Sequence, residues 1–588
     1  MNGPASSQSG DDLTTLGLIL LIGTVVLAAM LRVAGDVAAL ASGVEPPTAS
    51  LAAGVRVLLT PADPGALLGT PDLNPVLYWV AVAALLAAAS AAAFGVGRLL
   101  RRDPTRATRD PHRLPGTATG RDVAKVASTR ALLGRSGALR PSLTKPTPAD
   151  VGYLLGTSRG KTVWASVEDS ILVLGPPRSG KGLHVVINAI LDAPGPVITT
   201  STRPDNLTAT LRARQRRGPV AVFDPQHLAE GLPSGLRWSP VRGCENPLIA
   251  MIRATGFSSA TGLSTGGVES GGFWEGKTRT ALQALLHAAA LGHCSPRDLF
   301  AWSLSPSAAA DAVAILSSHP NAAPGWAESL ESTISSDPRT RDSIWMGVSL
   351  ALTCLADPRV MDAVTPRDGE SFDPAEFLRS DGTLYLLSTG AGASASWSLV
   401  AAFIEDLVET ARTLAAASPG ARLDPPLLLA LDEIGNLSPL PSLPVLMAEG
   451  GGTGITTMPV LQSLSQARAK WGDHNAGAIW DASIVKVVLG GASVAKDLQD
   501  VSALIGERDD TTDTVSRGDH GSRSVQRSVR RVPVMPPETI RMLPFGAALV
   551  LLRSAPPLVT DLRAWTKRPD SAELSAERAV VERSLRRA

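Results

Sequence analysis

The stretch ILVLGPPRSGKGLHVVINAI, Ile171 to Ile190, constrains the fold more than any other part of the chain. Ile171 to Leu174 is a short apolar run that ends at a glycine and reads as a buried strand. After the break at Gly175, Gly180-Lys181 opens an apolar-periodic segment that reads as a helix. A strand, a glycine-rich turn and a helix carrying GxxxxGK make a phosphate cradle, because the turn's N–H groups and the helix N-terminus face one point. The cradle residues are Gly175, Pro176, Pro177, Arg178, Ser179, Gly180, Lys181 and Gly182. Lys181 reaches the terminal phosphates as a point charge. The hydroxyl residue that usually follows this lysine, a Mg²⁺ ligand, is replaced by Gly182.

The same logic extends along the chain. Val197–Ser201, Val220–Phe223, Thr383–Leu387, Pro426–Leu431, Gly454–Val460, Ile484–Leu489 and Ala547–Leu552 are aliphatic runs separated by helical stretches. Such runs predict a mostly parallel sheet covered on both faces, an α/β fold. Between about Gly256 and Asp373 the pattern turns helical throughout, as in Phe273–Leu291, and reads as an all-α insertion between strands.

A second chemical signal is LLLALDEIGN, Leu427 to Asn436. An apolar strand ending in Asp432-Glu433 supplies what a phosphate-loop site needs next. Asp432 holds Mg²⁺ through water and Glu433 orients the attacking water. One strand later, Gln462 stands at the tip of the run that ends in PVLQ, where it can sense the γ-phosphate. ATP and Mg²⁺ are the expected ligands, and ATP hydrolysis the expected reaction. The NKxD element of guanine-specific sites is missing from the sequence.

Two N-terminal segments address the membrane. Leu13 to Val33 carries no charge before Arg32, and Val76 to Gly97 carries none at all. Each has the ~20 apolar residues a bilayer crossing needs. Tyr78 and Trp79 mark an interface, and the arginines from Arg98 to Arg113 mark the cytoplasmic side. The expected organisation is a cytoplasmic tail over 1–12, a span over 13–33, an outer loop over 34–75 and a second span over 76–97. A basic linker over 98–150, with one helix around Arg121–Leu133, leads to a nucleotide-binding domain over 151–568, and a charged helical tail fills 569–588. This places the anchor in the cell's inner membrane and the main domain in the cytoplasm. Net charge is only +1, so a polyanion must meet local basic patches. Three distant cysteines argue against a disulfide framework, and the eight histidines lack metal-ligand spacing.

Taken together, the chain resembles the VirD4/TraG-type coupling proteins, the membrane-anchored ATPases of conjugative type IV secretion. The residues that carry the resemblance are GPPRSGKG at Gly175–Gly182, TSTRPDNL at Thr200–Leu207, FDP at Phe223–Pro225 and FW at Phe273-Trp274. LDEIGNL at Leu431–Leu437, LQSLSQARAKWG at Leu461–Gly472, LGG at Leu489–Gly491 and LPFGAALVLL…PP at Leu543–Pro557 complete it, over roughly 150–566. In this family GKG is frequent, so Gly182 is no sign of decay. The resemblance implies a RecA-like P-loop ATPase domain with an all-α domain at the substrate entry, assembled as a homohexamer around a channel. It also implies single-stranded DNA with its relaxase as cargo, handed to type IV secretion channel components.

Further candidates follow from charge. Arg203 and Arg468 are arginine-finger candidates, each weighed against a structural ion pair. Arg523, Arg527, Arg530 and Arg531, in the polar segment Glu507–Arg531 that reads as a flexible loop able to project into a channel, are DNA-contact candidates, as is the group Arg212, Arg214, Arg216 and Arg217. The competing reading of both groups is a solvated face. Two alternatives to the whole account are an FtsK-like double-stranded DNA translocase and a non-hydrolysing membrane adaptor for secreted protein.

Overall fold

The computed structural model describes residues 8–100, 110–229, 231–232, 236–263, 271–367, 369–370, 372–389, 396–437, 439–517 and 523–585, with side chains described from residue 23 and not over 95–100 or 513–524. The chain divides into two compact units, Met1–Arg109 and Asp110–Ala588.

In the first unit two long helices, Gln8–Ser42 and Pro75–Leu100, pack together, joined by the short helices Leu51–Arg56 and Pro64–Leu68. Gly23–Ser42 and Pro75–Phe94 are long and apolar enough to cross a membrane. The first helix runs on through residues expected in the outer loop. Arg32 is tolerated because Asp36 lies 2.5 Å away and the Ala49 and Pro47 carbonyls accept from its guanidinium. Tyr78 donates to the Leu31 carbonyl (3.1 Å) and Trp79 to that of Pro61 (2.9 Å), so the two aromatics tie the helix pair to its connection. The expected basic flank over 101–109 and the tail over 1–7 lie outside the described residues.

The second unit is built on an eleven-stranded sheet. Its strands in chain order are β1 Gly152–Ser158, β2 Lys161–Ser166, β3 Ile171–Leu174, β4 Val197–Ser201, β5 Val220–Phe223, β6 Thr383–Leu387, β7 Leu427–Leu431, β8 Ile455–Leu461 and β9 Val485–Leu489. A separate hairpin, β10 Glu507–Arg517 and β11 Arg523–Pro533, precedes β12 Ala547–Leu552 and β13 Leu558–Leu562. The spatial order is β2-β1-β13-β12-β9-β3-β8-β7-β4-β6-β5. The seven strands from β9 to β5 are parallel, and the four beyond them pair antiparallel.

The parallel strands are buried along most of their length because both faces are covered, and most of their residues are apolar, with buried threonines in β4, β6 and β8 and Lys486 in β9 among the exceptions. Leu172 and Leu174 of β3 enter the core shared with the all-α insertion, whereas Ile171 and Val173 enter the core beneath the phosphate-loop helix. On β7 the same alternation sends Leu427, Leu429 and Leu431 to one face and Leu428 and Ala430 to the other. The insertion between β5 and β6 centres on the helix Gly271–Leu291, against which Pro338–Leu352 packs. Gly347 permits that contact, since a Cβ there would lie 2.1 Å from the Thr278 hydroxyl.

Three features correct the expectations. Residues 110–150 are not a spacer: the helices Gly120–Val126 and Thr129–Leu133 bury Val123 and Leu132 with Tyr153 and Leu155 of β1. Arg140 pairs with Asp424, and the Ser142 N–H donates to the same carboxylate (3.0 Å). The segment Glu507–Arg531, expected as a loop, belongs to the hairpin β10–β11, because its alternating Thr, Val and Ser favour strand over coil. The C-terminal helix Ser571–Leu585 buries Leu574 and Val581 against the chain's own body.

Candidate functional site

Parallel strands bring their C-terminal ends to one edge, where open α/β sheets form their crevices. Because β8 lies between β3 and β7, the tips carrying the phosphate loop, Gln462 and Asp432-Glu433 are neighbours. The loop after β4, Ser201–Asn206, closes the far side of a crevice of 510 Å³. That volume is within the range of small-ligand sites.

The loop itself needs unusual backbone. Gly180 has φ +89°, and a Cβ there would also meet His184 at 2.7 Å and Phe545 at 3.0 Å. Arg178 holds φ 63° without being glycine. The helix expected to start at Gly180-Lys181 begins with a π turn over Gly182–Val186 and becomes α-helical at Ile187. Such wide turns recur at functional sites. Lys181 folds back onto the loop, donating to the Gly175 (2.8 Å) and Pro176 (3.0 Å) carbonyls. Burial lowers its pKa, while Glu433 and Asp432 oppose that shift.

Asp432 is held by Asn206, whose amide donates to its carboxylate (3.0 Å), and the Thr200 hydroxyl donates to its backbone carbonyl (2.8 Å). Burial first, then the neighbouring Glu433, pushes its pKa up to about 6, against the Asn206 bond and the Lys181 charge. Glu433 sits at φ 55° and opens a short turn, its carbonyl accepting from the N–H groups of Asn436 (2.8 Å) and Leu437 (3.1 Å). Gln462 donates to the Glu433 carboxylate (3.2 Å), and so does Asn436. Gln466 completes a ring, donating to Asn436 (2.7 Å) and accepting from the Gln462 N–H (2.9 Å). Glu433 is thus fixed in rotamer and direction by two amides that are themselves fixed.

The sequence reading missed Asn206, Asn436 and Gln466. For two of them the signal was spacing: Asn436 lies three residues after Glu433 in a turn, and Gln466 four after Gln462, in the first turn of the helix that begins at Leu464. The donor set suits Mg²⁺, which takes one or two carboxylates plus phosphate oxygens and water. Two carboxylates stand side by side here, and clusters of three or more metal-binding side chains are absent among the described residues. At Gly182 the nearest atom to an added Cβ is the Asn206 Oδ1 at 3.9 Å. Gly182→Ser should therefore fold and keep nucleotide turnover within about twofold of wild type in a phosphate-release assay. Complete loss would show that packing requires the glycine.

The arginine candidates separate. Arg203 lines the crevice, largely exposed, 3.8 Å from Asp205. Arg468 is bound within its own chain, to Asp497 (3.0 Å) and Asp500 (3.1 Å), where Asp497 also caps the helix starting at Leu464. Arg212 bonds Gln215, Arg214 is buried on the carbonyls of Ala193 and Gly195, Arg216 pairs with Glu573 and Glu577, and Arg217 bonds the Ala193 carbonyl. Arg214 is scaffold, whereas Arg212, Arg216 and Arg217 are exposed. In the hairpin Arg527, Arg530 and Arg531 stand across from Asp513, Asp510 and Asp509. The side chain of Arg523 lies outside the described residues.

Residues 426–545, which hold the acidic pair, the Gln462 ring and the hairpin, match the family model described as the TraM recognition site of TraD and TraG. The bacterial conjugative coupling protein TrwBdeltaN70, unbound, matches at 20% identity over 74% of this chain and 93% of that one, with a TM-score of 0.53. The fold is that of a conjugative coupling protein. The plasmid coupling protein TrwB with ADP and Mg²⁺ matches at 19% identity over 74% of this chain and 94% of that one, TM-score 0.51. The same protein with the non-hydrolysable ATP analogue ADPNP matches at 19% over 73% and 92%, TM-score 0.52. No curated protein matches the chain in sequence. The matched segment and the coupling-protein fold both agree with the resemblance to the VirD4/TraG type.

Proposed function

We propose that this chain is an ATP-hydrolysing coupling protein that recruits conjugative DNA, as a relaxase-bound single strand, and drives it into a type IV secretion channel. The observation that carries the reading is the Glu433–Gln462–Gln466–Asn436 ring beside Lys181. A non-hydrolysing adaptor has no use for a carboxylate aimed with this care. Solved relatives with the same fold hold ADP with Mg²⁺ and ADPNP.

In the mechanism the loop amides bind the phosphates, and Lys181 exchanges its two carbonyl partners for phosphate oxygens. Asp432 would hold Mg²⁺, which would supply positive charge against the transferring phosphoryl group. Glu433 orients the attacking water and takes its proton as the bond to the γ-phosphorus forms and the bond from that phosphorus to the β–γ bridging oxygen breaks, so that ADP leaves with that oxygen and inorganic phosphate is released. Gln462, bonded to Glu433, links the presence of a γ-phosphate to the position of that carboxylate. Catalysis is positioning plus electrostatic stabilisation. Arg203, exposed in the crevice, is the arginine-finger candidate that no strong ion pair holds elsewhere.

A pKa of about 6 on Asp432 has two consequences. Mg²⁺ binding needs the carboxylate, so Mg²⁺-dependent nucleotide affinity should rise with pH through about 6 and level off above it. The folded nucleotide-free protein holds the proton more tightly than the unfolded chain, so ionisation costs stability as pH rises from about 4 to 6. Asp432→Asn should therefore raise the melting temperature at pH 7 and lose that gain near pH 4, while Mg²⁺-dependent binding disappears. A lower melting temperature at pH 7 would contradict the buried-charge account.

The two apolar helices anchor the chain in the inner membrane with the ATPase domain in the cytoplasm. DNA contact is assigned to the hairpin, where the arginines must compete with the aspartates opposite them. Phosphate release by the full chain in lipid nanodiscs, with single-stranded DNA, double-stranded DNA or neither, tests the cargo. Stimulation by single strands supports the coupling role. Stimulation by duplex alone would favour a double-stranded DNA translocase, and no hydrolysis at all would favour the adaptor.

A further inference from the structure

We propose that Lys470, held over the indole of Trp397, binds a backbone phosphate of single-stranded DNA and passes that contact to Glu433 through the helix Leu464–Ala482. The proposal rests on the coupling reading above and adds, besides the hairpin, the place where cargo acts on the hydrolytic site.

The segment LQSLSQARAKWG gives Gln462 and Gln466 to the ring around Glu433 and leaves Lys470 outside it. Lys470 Nζ stands 5.0 Å from the centroid of the Trp397 ring. Among the described residues no hydrogen bond or ion pair holds that ammonium. The side chain is half-buried, and burial alone lowers its pKa, with no carboxylate near enough to oppose the shift. The acid in the adjoining turn, Asp473, lies 4.0 Å from Arg468. An indole face attracts an ammonium without neutralising it. A phosphate can therefore take Lys470 without breaking an ion pair, whereas Arg527, Arg530 and Arg531 stand across from aspartates. Once the ammonium swings to a phosphate, the partly exposed Trp397 ring is free to stack a base. A single strand supplies phosphate and unpaired base together, and a duplex keeps its bases inside.

The same helix carries the contact to the catalytic carboxylate. Gln466 and Lys470 are four residues apart on one helix face. Gln466 lies so close to the turn after Glu433 that a Cβ on Gly435 would sit 2.6 Å from its carboxamide carbon. It bonds Asn436 there, and Trp471 Nε1 donates to the Leu440 carbonyl (3.0 Å). The helix is thus seated on Glu433–Leu440 on both sides of Lys470. At Gly472 (φ 77°) it kinks, so the two turns from Leu464 to Trp471 form a short rod of their own. A displacement of that rod at Lys470 moves Gln466, then Asn436, then the Glu433 carboxylate that Asn436 holds.

The test uses the full-length chain in phosphatidylcholine nanodiscs. Phosphate release from Mg²⁺-ATP is measured with and without oligo-dT, and binding of the same oligonucleotide is followed across a salt series. Lys470→Ala should remove the stimulation and reduce the slope of log affinity against log salt by ~0.7, the share of one phosphate on a single strand. Lys470→Arg keeps the charge and stacks on an indole, so it should keep most of both effects. Lys161→Ala, an exposed lysine on the edge strand β2, should change neither. Full stimulation with an unchanged slope in Lys470→Ala would overturn the proposal. Lost stimulation with an unchanged slope would make Lys470 a support of the ring and overturn it as well. A reduced slope with full stimulation would leave a contact and overturn the coupling. Equal stimulation of wild type by duplex would overturn the single-strand assignment. If wild type hydrolyses ATP and single strands do not stimulate it, the coupling falls and the hydrolytic site stands. If wild type releases no phosphate, the hydrolytic reading falls with the coupling, and the salt slope alone decides whether Lys470 meets DNA.

Discussion

Lys181→Ala should abolish Mg²⁺-ATP binding at concentrations that saturate wild type, and turnover with it, while the protein stays folded and membrane-bound. The expected loss of turnover is at least ~10²-fold, the scale of removing one preorganised charge from a phosphoryl-transfer site. Two facts make the folded outcome the expected one. Lys181 bonds only loop carbonyls, both of which can turn to water in the open crevice. Its ammonium is partly desolvated, and its pKa is lowered by that burial, so removing it relieves a cost rather than an anchor. The coupled loss has a further signature. Without Lys181 the Asp432 and Glu433 carboxylates lose their nearest compensating charge, so the Asp432 pKa should move above about 6. Unchanged ATP affinity in Lys181→Ala, measured by equilibrium dialysis, would mean the lysine points away from the phosphates when they arrive.

How far the residues alone disclosed this arrangement depended on burial. β3, β4, β6, β7, β8 and β9 are buried on both faces, and β3, β6, β7 and β9 read as mostly apolar runs, while β4 and β8 add buried threonines to theirs. That is why Lys181, Asp432, Glu433 and Gln462 were all legible: each stands at or just beyond the tip of such a strand. Of the antiparallel extension, β12 was legible as an aliphatic run and the outer strands β1 and β2 were not. β1, GYLLGTS, and β2, KTVWAS, mix glycine, threonine and lysine with apolar residues. β1 also carries a register shift at Gly156, where a Cβ would sit 2.0 Å from the Asp561 carbonyl oxygen. That contact is between residues about four hundred apart in the chain, which no local pattern encodes.

Charge was the least legible property. Arg214 looks like part of a basic patch in sequence but spends its guanidinium on buried carbonyls and on Thr383. Arg468 looks like a residue free to reach a neighbour, yet Asp497 and Asp500 hold it in place. Arginine's donors bond whatever acceptors folding brings near, so only the fold decides between scaffold and contact. The amides of Asn206, Asn436 and Gln466 were missed for the same reason. Asn206 is an ordinary polar residue until β7 brings Asp432 beside it, and Asn436 and Gln466 meet only when β7 and β8 pair.

The central claim is that the tips of β3, β7 and β8 together make a hydrolytic site with Glu433 as the residue that acts on water. Glu433→Gln keeps the shape and the bond partners of the side chain and removes only its basicity. In that variant Asn436 and Gln462 still find a carbonyl oxygen to donate to, so the ring and the fold should persist. Nucleotide binding should also persist, because Lys181, the loop amides and Asp432 are untouched. Turnover should fall by ~10²- to 10⁴-fold, the worth of a positioned general base. The deciding measurement is inorganic phosphate released from Mg²⁺-ATP by the full-length chain, wild type beside Glu433→Gln, with ADPNP affinity measured on both. The account predicts steady release by wild type, release near background by the variant, and equal affinity for the analogue. Equal release by the two proteins would contradict it, and so would a wild type that binds the analogue and releases no phosphate.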